Sequence, residues 1–62
     1  MKRMSLESFV MWKATGQELN CLLSELKRGV THRVVGWIEN RGYSVQYVWD
    51  KSEHTHIPVV QY

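Results

Sequence analysis

A single cysteine, Cys21, in 62 residues excludes an internal disulfide, and with it the small secreted fold held together by crosslinks. No apolar run approaches the roughly 20 residues a membrane-spanning helix needs. Repeats, low-complexity tracts and linker-like stretches are also missing. The opening MKRMSLESF has the basic end of a secretion signal, but Glu7 and Ser8 interrupt the apolar stretch that should follow. Catalytic signatures are lacking too: there is no nucleophile elbow, no phosphate-cradling glycine loop and no pair of catalytic carboxylates. The expectation is one small cytoplasmic domain over residues 1–62, not an enzyme, with no cofactor, no bound metal, no small-molecule substrate and no membrane contact.

Enough apolar material is present to fold. The hydrophobic share is 44% and there are three tryptophans, which argues against disorder. A chain of this length buries only about 60% of its unfolded surface, so its stability is expected to be marginal. The formal net charge of +2 permits contact with nucleic acid but falls short of a strongly basic stripe.

TGQELNCLLSELKRG is the clearest element. Thr15 and Glu18 have capping-box spacing, and Leu19, Leu22, Leu23 and Leu26 follow at helical intervals as one apolar stripe. Lys27 and Arg28 suit the negative end of the helix dipole, and Gly29 suits its stop. The pattern predicts a helix over 16–28. Before it, Ser5 can cap a helix over 5–14 in which Leu6, Phe9, Val10 and Lys13 share a face, although SFVMWKAT also reads as a strand.

Further on, Thr31, Val34, Val35 and Ile38 are β-branched, and Gly36 costs about 1 kcal/mol relative to Ala inside a helix. A loop at Asn40-Arg41-Gly42 would join strands over 33–39 and 43–50, setting Trp37 opposite Val45 and Val35 opposite Tyr47. A second turn at Lys51-Ser52-Glu53 would bring in a strand over 55–61, with Ile57 against Tyr47, Val59 against Val45, and Pro58 on an edge strand. The expected fold class is α+β: one or two N-terminal helices, then a three-stranded antiparallel meander.

The stretch VVGWIENRGYSV also resembles the end of the recognition helix and the start of the wing in winged helix-turn-helix proteins. The match is Val35, Ile38, Gly42, Tyr43 and Val45: an apolar pair three apart, then glycine, an aromatic and another apolar residue. The resemblance covers roughly residues 15–62. It implies 31–41 as recognition helix, 43–61 as wing, and a nucleic-acid-binding regulatory protein.

In the meander, Val34, Ile38, Val48 and Val60 fall on the sheet face that one helix cannot cover, with Gln46 and His56 as polar rim. Contiguous apolar surface of that kind marks a contact site. The leading expectation is therefore an adaptor or inhibitor that occupies a surface on a protein partner, of the type small viral or mobile-element proteins often are. A homodimer joining these faces fits the same pattern. On that reading Ile38→Asp should abolish binding and leave the fold intact.

The alternative is nucleic-acid binding through Lys27, Arg28, Arg33 and Arg41, with His32 and Lys51 nearby. His54 and His56 could form a metal or pH-sensitive site, but two surface histidines on a solvated strand are the commoner outcome. Cys21 beside the leucine stripe reads as a small half-buried apolar residue rather than a nucleophile.

Overall fold

Three helices form because each has a polar residue at its start and apolar residues that repeat at helical spacing. The computed structural model of the protein describes residues 2–62. A short strand β1 (Arg3–Ser5) leads into α1 (Leu6–Lys13), where the Ser8 amide donates to Ser5 Oγ at 3.1 Å. This helix buries Leu6, Phe9 and Val10. Next comes α2 (Gly16–Arg28), with Leu22 buried and Leu19, Leu23 and Leu26 half-buried beside it. It stops at Gly29, whose φ of 126° only glycine adopts readily. Then follow α3 (His32–Glu39) and a hairpin of β2 (Ser44–Asp50) and β3 (Thr55–Gln61). The class is α+β, and both expected N-terminal helices are present.

The expected strand over 33–39 is helix. Thr31 Oγ1 accepts from the Val34 amide at 3.4 Å and starts α3. Val34 and Ile38, one turn apart, then project together into the core, where neither is exposed. Burial of that pair outweighs the local strand preference of β-branched residues, which is a weak prior against tertiary packing. A helix at His32–Glu39 and a hairpin over residues 44–61 are the element types that the winged helix-turn-helix resemblance implies for 31–41 and 43–61.

The sheet has the order β1-β3-β2 and is antiparallel throughout. Its first strand comes from the N-terminus, so β3 is the middle strand and Pro58 is not in an edge strand. The turn after β2 also holds one more residue than expected. Asp50 pairs with Thr55, leaving Lys51 to His54 as the loop. Asp50 Oδ1 accepts from the Ser52 amide at 2.9 Å, and His54 closes the loop at φ 53°.

One added residue moves every β3 side chain to the other face. Val45 stands opposite Val60, and Tyr47 opposite Pro58. Val60, Val45 and Met4 therefore share the inner face and pack against the helices. Ile57 and Val59 are on the opposite sheet face with Gln46 and Val48, where Val59 is nonetheless buried.

At the centre, Phe9, Val10, Val34, Ile38 and Val60 are fully enclosed. Ile38→Asp should therefore unfold the protein. An unpaired carboxylate in this core would cost several kcal/mol, against a total stability of roughly 3–9 kcal/mol for a chain this size. Ile38→Val should cost only about 0.5–1.5 kcal/mol, read from the midpoint of urea unfolding.

Candidate nucleic-acid interface

Three residues, Gly29, Val30 and Thr31, join α2 to α3. With Val34 and Ile38 turned inward, helical geometry turns His32, Arg33, Gly36 and Asn40 toward the opposite side. There they line a groove of about 570 Å³, whose other wall is Gln17, Glu18, Cys21 and Leu22 of α2. His32, Arg33 and Asn40 are exposed. A Cβ placed on Gly36 would meet nothing within 4 Å, so this position opens onto the groove.

The C-terminal end of α3 is tied down by Arg41. Its guanidinium lies 3.8 Å from the centre of the Trp37 ring, and its Nη1 donates to the Trp37 carbonyl at 3.4 Å. Nη2 stands 3.5 Å from Glu18 Oε1. Glu18 is thus drawn across the groove to Arg41, and the expected capping box with Thr15 does not form: Thr15 makes no side-chain cap bond. Trp37 is half-buried with its ring edge-on to Phe9 at 5.7 Å, and its Nε1 is buried without a hydrogen bond.

The structure separates the four basic candidates. Arg33 lines the α2–α3 groove, whereas Lys27 lies in a second groove with Glu7, Leu23 and Leu26. Arg28 is exposed at the end of α2. Arg41 is engaged by Trp37 and Glu18.

The expected protein-contact patch is dispersed as well. Val34, Ile38 and Val60 are core residues with no exposed surface. Gln46 and half-buried Val48 lie on the outer sheet face, and His56 lies on the inner face with its ring 5.3 Å from that of Trp49. The patch depended on a strand at 33–39 and a three-residue second turn, and neither is present.

Cys21 is exposed on the groove wall, not half-buried. Sequence reasoning missed Asn40 and Gly36 as groove residues. The signal was available: Thr31 as a helix cap fixes the phase that places Gly36 and Asn40 one turn apart.

Comparison with protein-family models, with curated proteins and with solved structures finds no match to this chain.

Gly36→Ala should stabilise the protein by about 0.5–1 kcal/mol, because the methyl group meets no neighbour and the helix gains propensity. A rise in melting temperature of up to about 4–8 °C in a thermal scan would register it. Glu18→Gln should change stability by less than about 1 kcal/mol, since the Arg41 pair is solvent-exposed, and urea unfolding checks this.

Proposed function

We propose that the protein binds duplex nucleic acid with α3 as its reading helix, in the manner of a small regulatory protein. The observation that carries the proposal is the division of α3 into two sides. Val34 and Ile38 anchor one side in the core, and the other presents His32, Arg33 and Asn40 to solvent.

These side chains have the chemistry to read base edges. An arginine fork matches the two acceptors of guanine, and an asparagine amide matches the acceptor and donor of adenine. A helix with its side chains is about 10–12 Å across, close to the roughly 12 Å width of the major groove. Gly36 keeps the middle of that side low, so a groove wall can approach the helix backbone. Arg28, exposed beside the turn, supplies a phosphate contact. The element order agrees with the winged helix-turn-helix resemblance and supports the same reading. The adaptor reading, by contrast, loses Val34, Ile38 and Val60 to the core.

A modest excess of positive charge implies few phosphate contacts. With about three, log K should fall against log salt with a slope near −3. Fluorescence anisotropy with a duplex DNA pool across a salt series measures this. Arg33→Ala should cost about 1–3 kcal/mol and relax preference at one base pair. Arg28→Ala should instead weaken binding evenly across sequences. Salt-independent binding, or an Arg33→Ala variant indistinguishable from the parent, would sink the reading.

A further inference from the structure

The backbone hydrogen bonds at the end of the sheet fix which way every β3 amide points. The Tyr62 amide donates to the Lys2 carbonyl at 3.0 Å, and the Lys2 amide donates to the Tyr62 carbonyl at 2.9 Å. The backbone polar groups of Tyr62 therefore face the β1 side. Alternation along an antiparallel strand turns Val60 and Pro58 the same way, and turns Gln61, Val59, Ile57 and Thr55 toward β2. The residues of β2 in register with that second set are Ser44, Gln46, Val48 and Asp50. It follows that Val45, Tyr47 and Trp49 direct their amides and carbonyls outward, onto the open edge of the sheet.

The two edges of this sheet are built differently. On the far side, β1 is only three residues long and carries Arg3. Past its end, the Pro58 position on β3 has no amide hydrogen to offer. Short strands, charges and prolines are the usual means of blocking strand addition. The β2 edge, SVQYVWD, has none of these until Asp50 at its end. Tyr47 and Trp49 flank it with 58% and 54% of their surfaces exposed.

We infer that this edge is an interaction surface for a second copy of the chain, joined β2 to β2 antiparallel about a twofold axis at Tyr47. The strand is complementary to itself in that register. Tyr47 meets Tyr47 of the second copy, and Val45 meets its Trp49, so each outward-facing residue finds an outward-facing partner. Each such pair exchanges two main-chain hydrogen bonds. Aromatic residues then lie beside aromatic and β-branched ones, the pairings that stabilise sheets. Asp50, the only charged residue in β2, falls opposite Ser44, so no like charges meet. A twofold axis gives the self-complementary contact that such dimers require. The contact uses the strand edge and not the apolar faces of the sheet, and it is independent of the nucleic-acid reading.

Sedimentation of the full chain from low concentration into the millimolar range tests the inference. The expected result is a mass that rises with concentration from 7.4 kDa toward twice that value. Tyr47→Pro removes an outward amide without touching a bond to β3, so it should weaken dimerisation roughly tenfold or more while far-UV circular dichroism stays unchanged. Hydrogen exchange on the unmodified chain needs no variant: the amides of Val45, Tyr47 and Trp49 should gain protection as concentration rises. A mass of 7.4 kDa at every concentration overturns the inference. So does a dimer in which those three amides exchange as fast as in the monomer.

Discussion

Phe9 is the side chain on which the contact between the helices and the hairpin depends. It projects from α1, is fully enclosed, and meets the rings of Trp12, Trp37 and Tyr43 edge-on, with Tyr43 closest at 4.8 Å. Those rings belong to α1 itself, to α3, and to the start of the hairpin. Such edge-to-face pairs add about 0.5–1.5 kcal/mol each beyond the area they bury. In a chain with so small an interior, one phenylalanine thus ties helix to helix and helices to sheet. Val34 and Ile38 share one buried cluster with Leu6, Phe9 and Val10 of α1, Leu22 of α2 and Val60 of β3. The remaining rings form the outer wall: Trp12 leans on Tyr43 and Tyr62, and the Lys13 ammonium lies 3.9 Å from the Trp12 ring.

Fixing α3 against Phe9 bears on the proposed base reading. A helix held rigidly on one side presents its other side in a defined orientation, which is what a base-reading element requires. Arg41 extends the same logic to the C-terminal end of α3, where one guanidinium covers the Trp37 ring, bonds its carbonyl and reaches Glu18. A basic residue that looks available for phosphate in the sequence is occupied in the fold. Its charge is partly answered across the groove, leaving Arg33 and Arg28 as the cations beside the turn with no ion pair among the described residues.

The hairpin obeys a different constraint. Its loop sets the register, and the register decides which side chains lie inside. With four residues between Asp50 and Thr55, Val60 enters the core and Ile57 leaves it. The hairpin also continues past the helices, so Tyr47 and Trp49 lie on the inner face yet stay largely exposed. Pro58 sits in the middle strand without disrupting the sheet, because its missing amide faces the β1 side at a point past the end of β1. The same alternation leaves the β2 edge unpaired.

Much of the local structure was legible in the amino-acid order alone. The leucine spacing and Gly29 define α2, the alternation through 43–50 and 55–61 marks two strands, and Ser5 with the Leu6–Phe9–Val10 face favours α1 over the strand that SFVMWKAT also allows. The α+β class follows from these. What the order of residues left open is the state of 31–39, because Val34, Val35 and Ile38 suit a strand locally and the helix prevails through burial of Val34 and Ile38 in the shared core. The register of β3 was equally open, since a loop of three or four residues is compatible with the same polar stretch and only the Asx turn at Asp50 and the left-handed His54 select four. The protein-contact patch was inferred from those two undecided features and was lost with them. Local propensity and periodicity are properties of the chain, but which of two locally acceptable conformations persists is decided by long-range burial, and that exists only in the tertiary structure.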